Sequence, residues 1–220
     1  METYRLDLLD SLYYNSFIDS GAAGATSTAP LVGDIALMYS ISRSLGIGKL
    51  DSRISSVPHY SELSELPFVV SVAHSLGPVK MLPAYDFSAS FISEGYFDYN
   101  AFKSTFNAPF RNWIRMQGIA AGNSFYFSVA YRDRISLPDK FSVRLGNMRS
   151  CIARVEKVVA PDGYSIWGNA YTSMLISEKW NERKPLSIPE YVEKEILSAY
   201  YIIYKGLSID DWLRMVEPYE

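Results

Sequence analysis

The stretch FSVRLGNMRSCIARVEKVV, residues 141–159, decides the fold that we predict for this chain of 220 residues. Phe141–Leu145 and Cys151–Val159 are rich in apolar and β-branched residues, which favours two strands. Gly146-Asn147 lies between them and is typical of the left-handed turn that joins antiparallel neighbours. Because Phe125–Ala130 precedes them as a third run of this kind, the sequence predicts an antiparallel meander of three strands.

The chain on either side of this stretch carries further patterns for strands and for a helix. Thr3–Leu9 alternates apolar and polar residues, which predicts a strand with one buried face. In Leu31–Leu45 the apolar residues recur at three-to-four spacing and Gly46 follows, which predicts a helix with a left-handed cap. Tyr171–Ile176 is predicted as a fourth strand of the sheet, after a turn at residues 167–169.

The C-terminal part of the chain has a helical pattern. Ser187-Ile-Pro-Glu190 is a capping-box sequence, and the residues after it that share one helix face are Val192, Ile196, Ala199 and Ile203. Gly206 ends this helix, and Ser208-Ile-Asp-Asp211 begins a last short one that runs through Val216. The prediction is therefore an α+β fold in one domain, residues 1–220, with residues 187–217 as a helical C-terminal extension.

Composition and motifs argue against several classes of protein. No window has the roughly 18 uninterrupted apolar residues of a membrane span, and METYRLDLLD lacks the layout of a signal peptide, so we expect a cytoplasmic protein. Cys151 is the only cysteine, which excludes a thiolate-rich metal site; in its strand it is expected to be a small buried hydrophobe. Phosphate-loop, dinucleotide and nucleophile-elbow patterns are absent from the sequence. We therefore expect no cofactor, no metal and no enzymatic activity.

The two histidines are interpreted differently from each other. Neither has a Cys, Asp, Glu or His at a metal-ligand or proton-relay spacing. His74 closes an apolar run, which is typical of a structural histidine whose ring is hydrogen-bonded inside the fold. His59 lies in the loop Val57-Pro-His-Tyr60, where it could contact a ligand.

Positive charge is concentrated in residues 110–157. This segment has nine basic residues against three acidic ones, a net charge of +6, whereas the remainder has twelve against twenty-one, a net charge of −9. Such an asymmetry is typical of a surface that binds a polyanion. Within it Arg111 and Arg115 share an alternation register with Trp113, so an extended segment would present two guanidinium groups and a stacking ring on one side. The alternative is an ordinary strand face whose arginines are solvated and whose Trp113 covers the edge of the core.

Residues 141–150 also carry a resemblance to a known family. With the following Ile152–Glu156 they resemble the small RAMP-superfamily subunit of type I-D CRISPR interference (Cascade) complexes, whose members tend to carry Arg-Leu-Gly shortly after Leu-Pro, as at Leu137-Pro138 and Arg144-Leu-Gly146. Pro30–Tyr39 is similar to the helix after the family's first strand, with Gly33-Asp34 in place of a usual His-Asn pair. Further matches lie at Asn107-Ala-Pro109 and Gly122–Val129.

The resemblance implies a fold and a role in RNA-guided antiviral defence. The fold would be a ferredoxin-like or RRM-like core with an inserted β-hairpin, and the role would be to hold the 5′ handle of the guide CRISPR RNA. The implied partners are that RNA, the backbone (repeat-subunit) protein and the large subunit; contact with target DNA near its flanking motif stays open. The residues expected to bind RNA are Arg111, Trp113, Arg115, Arg132, Arg134, Arg144, Gly146 and Arg149.

Two other functions remain open at this stage. One is a metal-independent endoribonuclease of the same superfamily, in which His59 or a nearby tyrosine would activate the 2′-hydroxyl of CRISPR RNA. The other is a protein-interaction domain without a nucleic-acid role, in which the basic segment would bind an acidic partner.

Overall fold

The structure, a computed structural model, describes residues 1–13, 25–27, 29–48, 50, 60–88, 113–132, 135–146, 151–176, 192–198 and 200–216. The strands are β1 (Glu2–Leu8), β2 (Ala25–Ser27), β3 (Leu31–Val32), β4 (Phe68–Val70), β5 (Ala73–His74), β6 (Tyr85–Ser88), β7 (Trp113–Gln117), β8 (Ser124–Tyr131), β9 (Lys140–Leu145), β10 (Cys151–Val158), β11 (Ile166–Asn169), β12 (Glu193–Ser198) and β13 (Tyr201–Leu207). The helices are α1 (Asp34–Leu45), α2 (Ala170–Ile176) and α3 (Ile209–Val216), with a 3₁₀ helix at Tyr60–Glu65.

The main sheet is antiparallel and has β1 near its middle. Its strands follow the order β3-β5-β8-β1-β10-β9, and β4 also pairs with β8. The alternation predicted for Thr3–Leu9 is confirmed, since Tyr4, Leu6 and Leu8 of β1 are buried on the core face. The hairpin of β9 and β10 is confirmed as well. The predicted meander is wrong, because β1 pairs with both β8 and β10 and separates them; the order of strands in a sheet need not follow their order in the chain.

Helix α1 packs its apolar face against this sheet and ends as the sequence predicts. Ile35, Met38 and Ile41 are buried, at the three-residue spacing of one helix face. Gly46 has a φ of 66° and is the left-handed cap. Leu31, the first residue of the apolar pattern, lies instead in β3, where it pairs with His74.

Residues 166–176 differ from the prediction. Ile166–Asn169 forms strand β11 where a turn was predicted, and Ala170–Ile176 forms helix α2 where a fourth strand was predicted. The reason lies in tertiary contacts, because β11 pairs with β13, and the buried face of α2 includes Thr172, Ser173 and Ile176. Asn169 caps α2, as its side-chain oxygen accepts the N–H of Tyr171 at 3.1 Å.

The predicted long C-terminal helix is also wrong over the part that the structure describes. Strands β12 and β13 form an antiparallel hairpin there, and β11, β13 and β12 make a separate three-stranded sheet. Tyr201 and Ile203 are buried while Ile202 between them is not, which is the period of a strand. The last helix is confirmed as α3, and its cap is Ser208, whose Oγ accepts the Asp211 N–H at 3.1 Å. The capping-box residues 187–190 lie outside the described residues.

The fold class is therefore α+β, and its curled antiparallel sheet with a few helices agrees with the predicted ferredoxin-like core. A third small sheet has the order β2-β7-β6. In the part of the chain that the structure describes, no helix is long and apolar enough to span a membrane.

Candidate nucleic-acid interface

The outward-facing side chains of β1, β10 and β9 form a ladder of ion pairs. Asp7 accepts Arg154 Nη2 at 2.8 Å, Arg5 Nη2 lies 3.2 Å from Glu156, and Lys140 Nζ lies 2.7 Å from the same carboxylate. Burial by itself would raise the pKa of Asp7, but the hydrogen bonds from Arg154 and Ser124 keep it below its usual value. Lys140 and Arg154, two of the nine basic residues of the segment 110–157, are thus paired with carboxylates within the fold.

Two further basic residues of the segment are engaged inside the protein. Lys157 pairs with Glu2 at the end of β1. Arg132 donates from Nη1 to the Ser64 carbonyl at 2.6 Å and from Nη2 to the Ile176 carbonyl at 3.2 Å. These bonds connect the 3₁₀ helix to the end of α2, so the geometry of Arg132 favours a structural role and adds no support to its predicted contact with RNA.

A groove with a volume of about 660 Å³ lies between α1 and the edge strand β9. We call it the α1–β9 groove; its polar lining includes Tyr39, Ser40, Arg43, Ser44 and Arg144, and Gly146 lies at one end of β9. Ser40 Oγ donates to the Arg144 carbonyl at 2.9 Å and so joins the helix to the strand edge. This hydrogen bond links two elements that are far apart in sequence across the groove.

The local sequence of β9 explains why Arg144 is exposed at the strand edge that lines the groove. Val143 and Leu145 are buried whereas Arg144 is exposed, so the strand alternates between the core and solvent. The strand ends at Gly146, whose φ of 80° few other residues adopt. A Cβ at this position would lie 2.6 Å from the Tyr13 carbonyl oxygen, so the close approach of these two backbones also requires glycine.

The α1–β9 groove holds two arginines that form no ion pair with the residues that the structure describes. Arg43 and Arg144 are both exposed, and within the described ranges neither has a carboxylate within ion-pair distance. The Arg43 guanidinium lies 5.7 Å from the centre of the Tyr39 ring, a cation–π contact that leaves its N–H groups available. Two guanidinium forks in one groove are a good match for phosphate oxygens.

The structure brings two of the predicted RNA-binding residues, Arg144 and Gly146, into this groove. Trp113 and Arg115 lie two residues apart on β7, so this segment is extended, as the predicted one-sided arrangement of Arg111, Trp113 and Arg115 requires. The structure describes the backbone of these two residues but not their side chains. Outside the described residues are also Arg111, Arg134, Arg149 and His59.

Sequence reasoning missed the half of the groove that α1 contributes. Tyr39, Ser40 and Arg43 lie outside the buried face of the helix. From sequence alone, residues on this side are predicted only to be exposed to solvent. Ser40 and Arg144 are 104 residues apart, so no local pattern connects them. The one available signal was an arginine in the last turn of a predicted helix.

His74 and Cys151 have the structural roles that the sequence predicts. His74 is buried, its ring lies 4.3 Å from that of Trp167, and its Nε2 lies 2.7 Å from the Ser165 carbonyl oxygen. Cys151 is fully buried in β10, and burial raises the pKa of its thiol to about 11. Among the described residues, no group of three or more His, Cys, Asp or Glu side chains could hold a metal ion.

The comparison with protein families agrees with this architecture. Residues 1–175, which include α1, β9 and the whole α1–β9 groove, match the family described as type I-D CRISPR-associated protein Cas5/Csc1. No curated protein gives a match to the chain. Fold and match together define a Cas5-type subunit of a CRISPR effector complex. The chain belongs to the type I-D Cas5/Csc1 family, and the resemblance noted in its sequence is confirmed.

Proposed function

We propose that this protein is a non-catalytic subunit of the type I-D effector complex that binds the 5′ handle of the guide RNA, with RNA phosphates in the α1–β9 groove. The observation that carries the proposal is the pair of exposed arginines, Arg43 and Arg144, which line a groove at the β9 strand end and form no ion pair within the described part of the chain. In the assembled complex the neighbours would be the backbone protein and the large subunit.

The chemistry of the groove suits single-stranded RNA. Proteins hold such RNA through arginine contacts to phosphates and through aromatic faces, and the groove offers both, with Tyr39 beside Arg43. The planar guanidinium group can donate two parallel hydrogen bonds to one phosphate. A surface whose cations already pair with carboxylates, such as the outer sheet face, attracts phosphate more weakly.

The lining of the groove also supports a role without catalysis. A metal-independent ribonuclease needs a group that removes the 2′-hydroxyl proton, and the described lining has neither histidine nor carboxylate. Burial raises the pKa of Tyr39 above that of a free tyrosine, and the nearby Glu62 raises it further. Tyr39 is therefore a poor general base at neutral pH.

The test of RNA binding is a charge reversal in the complex. Arg43→Glu with Arg144→Glu should lower guide-RNA occupancy of the purified complex, and the affinity of the purified chain for handle RNA should fall about tenfold or more. The matched control is Lys194→Glu with Arg214→Glu, which makes the same charge change at exposed residues of β12 and α3 outside the groove. Equal occupancy and affinity in the two double variants would refute the assignment of the groove.

A second assay addresses catalysis. The purified chain is incubated with its repeat RNA in EDTA, and the products are separated on a denaturing gel. We expect intact RNA; a cut at one position, abolished in a His59→Ala variant, would favour the endoribonuclease instead.

A further inference from the structure

Four tyrosines from four separate elements form one aromatic group beside the α1–β9 groove. Tyr60 of the 3₁₀ helix lies 6.4 Å from Tyr39 of α1, 6.0 Å from Tyr171 of α2 and 5.4 Å from Tyr200 at the turn between β12 and β13, measured between ring centres. Tyr171 and Tyr200 are 5.1 Å apart. We call these four residues the tyrosine cluster.

The tyrosine cluster is continuous with the groove. Tyr39 belongs to both, because it lines the groove and also contacts Tyr60. The Arg43 guanidinium lies over the Tyr39 ring at 5.7 Å. A single strand with phosphates at the two arginines would therefore meet the ring of Tyr39, which joins the groove to the other tyrosines.

The cluster is held in place but is not sealed from solvent. The amide of Asn169 donates to the Tyr200 carbonyl at 3.1 Å and accepts the Tyr171 N–H at 3.1 Å, so one buried side chain fixes the backbone of both tyrosines. Tyr200 is nevertheless 46% exposed, and the other three are half-buried. The planes of Tyr60, Tyr171 and Tyr200 meet at 74° to 85°, an edge-to-face arrangement in which rings point in different directions.

The charges around the cluster distinguish bases from phosphates. Tyr39 donates its hydroxyl proton to Glu62 at 3.3 Å, so a carboxylate borders the cluster. A carboxylate repels phosphate but not the neutral face of a base, whereas Arg43 and Arg144 attract phosphate. The arrangement favours phosphates in the groove and bases over the tyrosines.

We propose that the tyrosine cluster is a stacking site for bases of single-stranded RNA, with Tyr200 as its most accessible ring. The proposal deepens the proposed function, since it requires that the α1–β9 groove holds RNA. It predicts that the protein contacts the bases of the strand, in a way that tolerates different sequences, a few nucleotides from the phosphates bound by the arginines.

The test uses the purified full chain and a fluorescent single-stranded RNA with the 5′-end sequence of the guide extracted from the complex. Tyr200→Ala should weaken binding about 5- to 100-fold, whereas Tyr200→Phe, which keeps the ring, should bind within about twofold of wild type. Ile196→Ala is the control, because it truncates another exposed side chain of the same hairpin outside the cluster.

A second measurement separates stacking from a general loss of binding. RNAs with an abasic nucleotide at each position in turn keep every phosphate but lose one base. At the position that stacks, the abasic RNA should bind wild type more weakly by the same factor as Tyr200→Ala does, and should bind Tyr200→Ala no more weakly than the intact RNA. The salt dependence of binding should be the same in Tyr200→Ala and wild type, because no phosphate contact is lost.

The outcomes distinguish this proposal from the one on which it rests. If Arg43→Glu with Arg144→Glu weakens binding but Tyr200→Ala and the abasic RNAs do not, the stacking site is wrong and the phosphate groove stands. If none of these changes matters, both are wrong. If Tyr200→Ala leaves RNA affinity intact but releases a neighbouring subunit from the complex, the cluster is a protein-docking surface and the stacking proposal is overturned.

Discussion

The outer face of the main sheet and the α1–β9 groove both include strand β9, but they differ in whether their basic side chains pair with carboxylates. On the outer face Lys140 and Arg154 each lie within 2.8 Å of a carboxylate oxygen. In the groove Arg43 and Arg144 are exposed, and the described residues place no carboxylate against them. Both surfaces carry lysine or arginine side chains, but among the described residues those of the outer face are paired with carboxylates, whereas the two groove arginines are not.

This difference shows what the charge of a segment can and cannot predict. The net charge of +6 in residues 110–157 counts Lys140, Arg154 and Lys157 equally with Arg144. The acidic partners of the first two include Asp7 of β1, which lies outside the segment, and Lys157 pairs with Glu2, also outside it. Arg43, which completes the groove, was not counted in the segment at all. The segment does carry a net positive charge, but which of its surfaces could attract an anion depends on which basic side chains form ion pairs in the fold.

The strongest way to test this comparison is through a carboxylate that forms no ion pair among the described residues. Asp34 begins α1, the helix wall of the groove, and is 1% exposed. Burial raises its pKa to about 6, although hydrogen bonds from Thr172 and Asn169 act in the opposite direction. The paired Asp7 of the outer face has a lowered pKa instead. The two carboxylates should therefore affect stability in opposite pH directions: Asp34 loses stabilisation as the pH rises through about 6, whereas Asp7 loses it as the pH falls through its lowered pKa.

For Asp34 the folded pKa of about 6 lies above the value of about 3.9 in an unfolded chain. The stabilisation from its proton is complete below the unfolded pKa and is lost as the pH rises through about 6, a loss of about 3 kcal/mol. We expect the free energy of unfolding of Asp34→Asn, relative to wild type, to rise by about that amount between pH 4 and pH 8, measured by urea denaturation.

The control is Asp7→Asn, whose stability relative to wild type should stay nearly level between pH 4 and pH 8, because the stabilisation from the ionised Asp7 is already present above the unfolded pKa of about 3.9 and is lost only as the pH falls through its lowered folded pKa. Profiles of the same slope for Asp34→Asn and Asp7→Asn would contradict the distinction between buried and paired carboxylates.

The next test concerns the strand wall of the groove. Gly146→Ala places a Cβ 2.6 Å from the Tyr13 carbonyl oxygen and also forces alanine to a φ of 80°. Gly122→Ala is the matched control, because Gly122 has a φ of 84° but no atom within 4 Å of the new Cβ. Both should lose about 1 kcal/mol from the left-handed backbone, and Gly146→Ala should lose at least about 1 kcal/mol more. Equal losses of unfolding free energy in the two variants, measured by chemical denaturation, would show that the backbone near Gly146 shifts to accommodate the added methyl group.

The sequence predicted the parts of this fold that depend on local pattern. β1, β9, β10, α1 and α3 were predicted near their observed bounds, because alternation, the glycine turn, the left-handed cap and the Ser208 cap are local signals. The resemblance to the type I-D family was carried by short motifs at Arg144-Leu-Gly146 and Pro30–Tyr39, which the family match covers.

The errors have a common physical cause. Ile196 and Ile203 fit a helix face, but pairing of β13 with β11 and β12 outweighs that weak preference. In the candidate site Arg144 and Gly146 could be predicted from the strand and its turn. Arg43 and the tyrosine cluster could not, because Tyr39, Tyr60, Tyr171 and Tyr200 meet only through the tertiary fold.

The smallest expected effect gives the most direct test of the comparison, because it uses two arginines of neighbouring strands. Arg144→Gln and Arg154→Gln remove the same charge, the first from the groove and the second from the ladder of ion pairs. If Arg144 contacts a phosphate, its loss should reduce the slope of log affinity against log salt by about 0.7, as expected for single strands. Arg154→Gln should leave this slope unchanged, since the Arg154 guanidinium already pairs with the Asp7 carboxylate. The measurement is a titration of handle RNA at several salt concentrations, and a smaller slope for Arg154→Gln than for Arg144→Gln would show that phosphate lies on the outer sheet face instead.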